Sequence, residues 1–221
     1  MKNYFLINLA ITGILLLCSE QSKAAMTLDG TRAILVGPKQ ETSILVINQE
    51  SEHIMIQSWV DSFNVTAEKD IPFAITPSLN RVDGNQRMLL RIFYYGQGLP
   101  TDRESVFRLN VQEVPRKSKS ENSLQIAVRQ RIKLFYLPAN LKGSADEAPA
   151  ALLWRVTFKD GKPGLEVRND SAFHVSFGTV NIKNGSSSHP IPAEMIPPYT
   201  SQSFAIAGTS STLSGTAKVE L

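Results

Sequence analysis

The chain offers few side chains that could act in catalysis or hold a metal. Its three histidines, His53, His174 and His189, lie far apart, and none is at the spacing of a metal-ligand pair. The sequence contains no Gly-x-Ser-x-Gly elbow, no phosphate-binding glycine loop and no His-Glu-x-x-His motif. The single cysteine, Cys18, excludes a metal site built on several thiolates. These residues indicate a protein that is not an enzyme and uses no cofactor or metal.

Two basic residues carry the clearest chemical signal. Arg32 interrupts an apolar segment near the start of the chain, and Lys133 lies near the end of a long alternating segment. Lysine and arginine mostly lie on protein surfaces, so two exposed strand positions are the simplest interpretation. The alternative is that both line a cleft between two domains and bind an anion. Arginine and lysine together suit a carboxylate because they form charge-assisted hydrogen bonds with it.

The segment 123–138, SLQIAVRQRIKLFYLP, is predicted to be one long strand. In its first half Leu124, Ile126 and Val128 alternate with other residues, a period of two that is typical of a half-buried strand. Its second half is basic and then aromatic, and the hydrophilic stretch before it predicts a surface loop. Such a strand is either an ordinary member of a sandwich or an edge offered to another chain. Periodicity alone leaves both interpretations open.

The rest of the chain also predicts short β-strands separated by turn residues, and no helical periodicity persists for about three turns. About seven strands are expected before the long one, a spacing typical of an immunoglobulin-like sandwich. They are predicted at residues 31–36, 42–48, 53–60, 73–77, 79–82, 88–94 and 105–114.

A change in composition divides the chain into two parts. Residues 138–150, PANLKGSADEAPA, combine prolines, small residues and charges, and they predict a linker. A smaller β-domain is expected after it, with hairpin turns at Asp160-Gly161 and Asn184-Gly185. The prediction is an all-β protein with an N-terminal immunoglobulin-like domain and a smaller C-terminal β-sandwich domain. Their predicted extents are residues 25–141 and 142–221.

Residues 1–24 predict a signal peptide that is not part of the fold. Lys2 supplies its positive start, and about 15 mostly apolar residues follow, too few for a comfortable membrane span. We expect cleavage after Ala24, and a lipoprotein is disfavoured because the bulky Leu17 precedes Cys18. No second apolar stretch approaches the length of a membrane span. The mature chain is therefore expected to be exported and soluble.

The charge of the chain argues against nucleic acid as a partner. The formal net charge is only +3, and no run of like charges stands out. A dedicated nucleic-acid binder usually carries a clustered basic face. Since Cys18 leaves with the signal peptide, the mature chain would hold no disulfide, which an exported domain with a large core does not require.

Several short motifs, in this order and spacing, resemble those of the periplasmic chaperones of the chaperone–usher pathway, which assemble pili on Gram-negative bacteria. The resemblance covers nearly the whole mature chain. Its motifs are LDGTR at 28–32, QSW at 57–59, PFAITP at 72–77, LPTDRES at 99–105, LQIA at 124–127, IKLFY at 132–136 and IPP at 196–198. The short loop before the long strand is similar to that of the short-loop branch of the family.

The resemblance implies two domains in an L shape and a role in pilus assembly. Arg32 and Lys133 would hold the C-terminal carboxylate of a pilin subunit in the cleft between the domains. Leu124, Ile126 and Val128 would fill the groove of that subunit, which lacks its own final strand, in a known mode of strand addition. The subunit would then pass to an outer-membrane usher. An unoccupied apolar edge is prone to aggregation, so self-capping as a weak dimer is expected.

Some positions depart from the family pattern. Family members usually carry an arginine at the position of Leu137 and an acidic residue near the C-terminus, where this chain has only Glu220. The resemblance implies that these two groups join Glu104 in an interdomain charge network, so the network is expected to be altered here. Arg108 also stands where the family often has an aromatic residue.

The alternative function is an exported adhesin or structural pilus component. Such a subunit would carry a donor extension before its first strand, whereas here a strand is expected soon after the cleavage site at Ala24.

Overall fold

The structure, a computed structural model, describes residues 26–64, 70–115, 124–159, 162–184, 187–206 and 218–220. Within them lie β1 Met26–Leu28, β2 Arg32–Val36, β3 Glu41–Asn48, β4 Ile54–Ser62, β5 Phe73–Thr76, β6 Leu79–Val82, β7 Arg87–Tyr94, β8 Ser105–Val114 and β9 Arg129–Leu137. After a 3₁₀-helix at Ala148–Ala151 follow β10 Leu153–Lys159, β11 Lys162–Asn169, β12 Val175–Ser176, β13 Val180–Asn184, β14 Ser187–Ile191, β15 Met195–Ile196, β16 Thr200–Ala205 and β17 Lys218–Glu220. Among these residues, no helix has the length and apolar character needed to cross a membrane.

The first domain packs a five-stranded sheet, in the order β2-β9-β8-β4-β6, against a four-stranded sheet, in the order β1-β3-β7-β5. β2 and β9 pair in parallel. The other strand pairs of this domain are antiparallel. β2 is therefore the edge strand of the larger sheet, and it runs in the same direction as its neighbour β9. The site described below lies on this pair of strands.

The core of the first domain follows from the alternation of its strands. Ile44 and Val46 of β3 and Leu90 and Ile92 of β7 are buried, whereas the residues between them are half-buried or exposed. They meet side chains of the five-stranded sheet such as Leu109. Each of these side chains contributes roughly 1.5–3 kcal/mol on full burial. The larger sheet is therefore a firm support for the residues on its outer face.

The second domain is smaller and holds three sheets, in the orders β10-β11-β16, β14-β13-β17 and β12-β15. Its apolar residues form two clusters that share the half-buried Trp154. Both predicted hairpins are present, since β10 pairs with β11 and β13 with β14 in tight registers. Their turn residues, 160–161 and 185–186, lie outside the described residues.

The all-β prediction is confirmed, and the predicted strands agree with β2 to β8 within two residues at either end. β1 escaped prediction because three residues are too few to show a period. The long strand is shorter than predicted, since β9 begins only at Arg129. Residue 123 lies outside the described residues, as do residues 1–24 with the predicted signal peptide.

The connection between the domains is closely packed. Leu137, the last residue of β9, packs against an apolar cluster of the second domain that contains Ala148 and Phe173. The predicted linker, residues 138–150, consists of turns that lead into the 3₁₀-helix. The position at which the family usually has an arginine thus makes an apolar interdomain contact in this chain.

Candidate functional site

Arg32 and Lys133 lie side by side on neighbouring strands. Arg32 is the first residue of β2, and it pairs in parallel with Lys133 of β9. Because Ala33 and Leu134 are buried in the core, the alternation of the strands places both cations on the outer face of the five-stranded sheet. Like charges directly opposite each other destabilise a strand pair. The two cations that the sequence singled out are therefore together, at an electrostatic cost.

Lys133 also reaches the second domain. Its Nζ donates a hydrogen bond to Ser176 Oγ at 2.8 Å. Burial lowers the pKa of Lys133, and the positive charge of Arg32 lowers it further, while Glu194 of the second domain acts in the opposite direction. The pair is therefore a cationic site at the junction of the two domains.

Arg108 extends this pair to a row of three cations. It lies opposite Lys133 on the other side of β9, in β8. The next residue along the row is Asp61 of β4, whose Oδ2 already accepts hydrogen bonds from Trp59 Nε1 at 3.1 Å and Asn110 Nδ2 at 2.9 Å. Within the described part of the chain, no carboxylate forms a salt bridge with any of the three cations.

Among the described strands, none pairs with one edge of β9 before Lys133, and we call this stretch the free edge. β2 pairs only with the part of β9 that starts at Lys133, whereas β8 pairs with nearly all of β9 on the other side. No described strand pairs with residues 129–132 on the β2 side, where the Gln130 side chain donates from Nε2 to Met26 O at 2.6 Å. A free edge presents unpaired backbone donors and acceptors to another strand. A strand added here would lie in line with β2 and would have to end at the cationic pair.

The predicted donor residues lie directly before this free edge, and their side chains are exposed. Leu124 is 87% exposed, Ile126 71% and Val128 44%. Three neighbouring apolar side chains that point into water form the kind of patch that usually marks an interaction site.

Residues 124–128 do not form a strand, so the predicted strand over this segment is wrong for the chain alone. Its backbone joins β8 through the hydrogen bond from Glu113 N–H to Val128 O, at 2.9 Å. β8 ends at Val114, and the next residue, Pro115, has no N–H to donate. A period of two reveals which side chains share a face, but it does not reveal whether a neighbouring strand is present.

Glu104 is buried and joins the two domains. Its Oε2 accepts a hydrogen bond from the backbone N–H of His174 at 2.7 Å and lies 2.7 Å from His174 Nδ1. Both side chains are only 6% exposed. In addition, the backbone N–H of Glu104 donates to Ala172 O at 2.8 Å. These contacts clamp the start of β8 to the second domain.

A buried asparagine shapes the turn that presents His174. Asn169 Nδ2 donates to Phe173 O at 2.7 Å, and Asn169 Oδ1 accepts from the backbone N–H of Ser171 at 3.0 Å. Because this side chain is 1% exposed, its hydrogen bonds replace those that water would supply. These hydrogen bonds hold the turn that carries His174 in its conformation.

The interdomain partner of Glu104 was missed at the level of sequence. His174 is a lone histidine, and nothing in the sequence places it beside Glu104. Of the other two positions in the expected network, Leu137 makes an apolar contact. The backbone of Glu220 belongs to β17 and pairs with Asn181, and the Glu220 side chain lies outside the described residues. A histidine thus contacts the carboxylate for which the resemblance implied an arginine partner.

A second contact between the domains lies at the surface. The Arg103 guanidinium is 5.0 Å from the centroid of the Tyr199 ring. Tyr199 Oη donates a long hydrogen bond, 3.5 Å, to Asp102 O. Exposed cation–π contacts contribute about 0.5–1 kcal/mol, so this contact supports the buried clamp but does not replace it.

Two β-sandwiches clamped by a buried carboxylate, with a free strand edge and a cationic row at their junction, define a two-domain immunoglobulin-like protein. Family models match both domains. The N-terminal domain of the pili and flagellar-assembly chaperone PapD matches residues 25–142, and the C-terminal domain of the pili assembly chaperone PapD matches residues 147–221. The chain belongs to this family of pilus-assembly chaperones.

Individual relatives agree with this assignment. The probable fimbrial chaperone YadV of Escherichia coli K12 is 35% identical over 199 residues, which is 86% of this chain and 81% of YadV. The crystal structure of the YadV chaperone matches with a TM-score of 0.76 at 33% identity, over 89% of this chain and 91% of that one. A structure of the Salmonella enterica SafA pilin in complex with the SafB chaperone matches with a TM-score of 0.72 at 26% identity, over 86% and 87%. The predicted family, fold class and chaperone function are confirmed.

Proposed function

We propose that this chaperone binds a pilin subunit in the periplasm by donating residues 124–132 as a strand, holds the subunit's C-terminal carboxylate between Arg32 and Lys133, and delivers the subunit to an outer-membrane usher. The observation that carries the proposal is the cationic pair, which lies where the free edge of β9 ends and has no salt-bridged carboxylate among the described residues. The similarity to a structure in which a chaperone is bound to a pilin supports a pilin as the partner.

A terminal carboxylate suits the cationic pair for electrostatic and for geometric reasons. Placed between Arg32 and Lys133, it forms two attractive contacts that offset the repulsion between the two cations. Hydrogen bonds to charged groups contribute about 1.5–3 kcal/mol each in favourable cases. Since β2 occupies the edge of β9 from Lys133 onwards, an added strand has to stop there, which fits the end of a polypeptide chain.

The exposed donor residues supply the apolar part of the interaction. Burying Leu124, Ile126 and Val128 in a groove contributes very roughly 5 kcal/mol before the costs of association. The subunit would at the same time give residues 124–128 the neighbouring strand that they lack in the free chain. The anchored carboxylate fixes the register, and a slip of one residue would turn every apolar side chain to the wrong face.

The free chaperone must keep this apolar segment from aggregating. Self-capping by a weak dimer, in which residues 124–128 of two copies cover each other, meets this need. The predicted signal peptide, residues 1–24, with cleavage near Ala24, supplies the route to the periplasm.

Capture of subunits from periplasmic extracts tests the proposal. Tagged wild-type chaperone is expected to retain pilin subunits and protect them from proteolysis, whereas Arg32→Ala and Lys133→Ala are expected to lose both properties. Arg87→Ala is the matched control, because Arg87 is an exposed arginine at the start of β7 in the other sheet. Capture by both variants at the wild-type level would show that the cationic pair does not anchor the subunit.

A further inference from the structure

Two further cations of β9 precede Lys133 along the free edge. Arg129, Arg131 and Lys133 alternate with Gln130 and with residues that face the core, so all three lie on the outer face of the sheet. We name these three residues the basic stripe. Both arginines are exposed, and both lie in the stretch of β9 that has no described strand on its β2 side.

The arginines of the stripe contact only neutral groups within the described residues. Arg131 Nε donates to Asn110 Oδ1 at 3.2 Å, and the Arg129 guanidinium lies 5.8 Å from the centroid of the Trp59 ring. Their opposite residues in β8 are the neutral Asn110 and Gln112. Among the described residues, no carboxylate therefore forms a salt bridge with either guanidinium of the stripe.

The direction of an added strand follows from the position of β2. If its C-terminus lies at Lys133, the strand has to run back along residues 132 to 129 and is therefore parallel to β9. Both strands advance by about 3.3 Å per residue, and their side chains alternate between the two faces. Outer-face side chains about two and about four residues before the subunit's C-terminus would then face Arg131 and Arg129.

The positive charge of the stripe determines which subunit side chains are favourable opposite Arg131 and Arg129. An apolar residue would remove water from a guanidinium and return no hydrogen bond, which is unfavourable. A neutral polar residue would accept a hydrogen bond but leave the mutual repulsion of the stripe unchanged. An acidic residue does both, because it accepts a charge-assisted hydrogen bond and neutralises the stripe.

We infer that Arg129 and Arg131 are specificity residues, and that the cognate subunit carries acidic side chains at these two alternate positions just before its C-terminus. The inference rests on the proposed function, since the carboxylate at Lys133 sets the register. The cognate subunits are then pilins whose last strand presents carboxylates on the side that continues the outer face of the five-stranded sheet.

Synthetic peptides of about ten residues, long enough to pair with the free edge, test the inference on the full mature chaperone. The peptides share one alternating sequence and differ in two respects. The two outer-face positions are both Glu, both Gln or both Lys, and each peptide is made with a free C-terminal acid and with a C-terminal amide. Dissociation constants are measured by titration calorimetry at low and at physiological salt.

The Glu peptide with a free acid is expected to bind about threefold to tenfold more tightly than its Gln counterpart, and the Lys peptide more weakly than both. Raised salt should reduce the preference, because the arginines are exposed. The double variant Arg129→Gln/Arg131→Gln should lose the preference, Arg129→Lys/Arg131→Lys should restore part of it, and Arg87→Gln should keep it. The lysine variant also shows that any loss is a loss of charge and not of folding.

Different binding results would overturn the acidic-residue inference and the carboxylate anchor. Equal binding of Glu and Gln peptides, together with a preference for free acid over amide, would overturn the inference and leave the proposed carboxylate anchor standing. A preference for Glu without a preference for the free acid would overturn the anchor. Absence of binding by every peptide would count against both.

Discussion

The outer face of the sheet β10-β11-β16 differs from the part of the five-stranded sheet formed by β2, β9 and β8 in how its cations are paired. On the sheet β10-β11-β16 of the second domain, Arg155 lies 2.6 Å from Glu166 and Arg168 lies 2.6 Å from Asp170. Each of these arginines therefore has a carboxylate of its own, and both pairs lie at the surface. Such pairs contribute little to stability, typically below about 1 kcal/mol, but they leave the face close to neutral.

The five-stranded sheet of the first domain has cations without such partners. Arg32, Lys133 and Arg108 form a row across three strands, and within the described residues none of them has a salt bridge. Arg108 instead places its guanidinium 4.8 Å from the centroid of the Phe63 ring. Both domains are β-sandwiches with arginines on their surfaces, so the difference lies in where the carboxylates are placed. Cations without a salt-bridged carboxylate beside a free strand edge indicate a ligand, whereas cations paired with carboxylates indicate an ordinary surface.

Charge reversal gives the largest expected difference between the two faces. Lys133→Glu should weaken binding of a pilin subunit by at least about 100-fold, because it removes an attractive contact and adds a repulsive one to the carboxylate. Arg155→Glu in the second domain should leave the affinity within about twofold, since that pair lies on the sheet of the second domain. Affinities of purified variants for a refolded subunit, measured by surface plasmon resonance, decide the matter. Similar losses in both variants would mean that overall charge, and not the site, governs binding.

Apolar side chains allow a second comparison. Ile126→Asp in the donor segment should weaken subunit binding by about 30-fold or more, because an aspartate cannot be buried in an apolar groove. Leu153→Asp, at an exposed apolar position of β10 in the second domain, is the matched control. Both side chains are exposed in the free chain, so urea unfolding should be nearly unchanged for both. Undiminished subunit binding by Ile126→Asp would mean that residues 124–128 do not bind the subunit.

The two kinds of carboxylate contact should differ in stability. His174→Ala leaves the buried Glu104 with fewer partners and should lower the free energy of unfolding by about 1–3 kcal/mol. Glu166→Gln, which removes the charge from the surface pair with Arg155, should cost less than about 1 kcal/mol. Urea unfolding followed by tryptophan fluorescence measures both. If His174→Ala were as stable as Glu166→Gln, the contact between His174 and Glu104 would not hold the domains together.

The smallest expected effect is on the protonation of Lys133. Burial and the neighbouring Arg32 hold the pKa of Lys133 below its ordinary value, so the free chain loses this charge at a lower pH than an ordinary lysine would. A bound carboxylate favours the charged form, so the pKa of Lys133 should rise when a subunit binds, and binding should weaken as the pH rises through that pKa. Carbon-13 NMR of the lysine side chains follows the titration, with Lys133→Met to assign the signal. An unchanged midpoint in the complex would place the carboxylate elsewhere.

Much of the fold and part of the site could be predicted from the sequence. Alternation located β2 to β8, and cations within apolar strands pointed to Arg32 and Lys133. Their direct pairing depends on contacts between distant parts of the chain, which a local period does not contain. For the same reason His174 could not be assigned to Glu104, since a single histidine carries no sign of its partner. The alternation of Leu124, Ile126 and Val128 showed which side chains share a face, and the family resemblance implied their donor role. The lack of regular strand structure over residues 124–128 depends on the absence of a neighbouring strand, which the alternation does not reveal.

Hydrogen–deuterium exchange of the chaperone, alone and saturated with a pilin subunit, tests the central claim most directly. The claim predicts that the backbone amides of residues 124–132 become strongly protected in the complex, because an added strand pairs with them. β10, which pairs only with β11 among the described strands, is the internal control and should exchange as before. Unchanged exchange over residues 124–132 in a saturated complex, or protection of β10 in their place, would contradict the account.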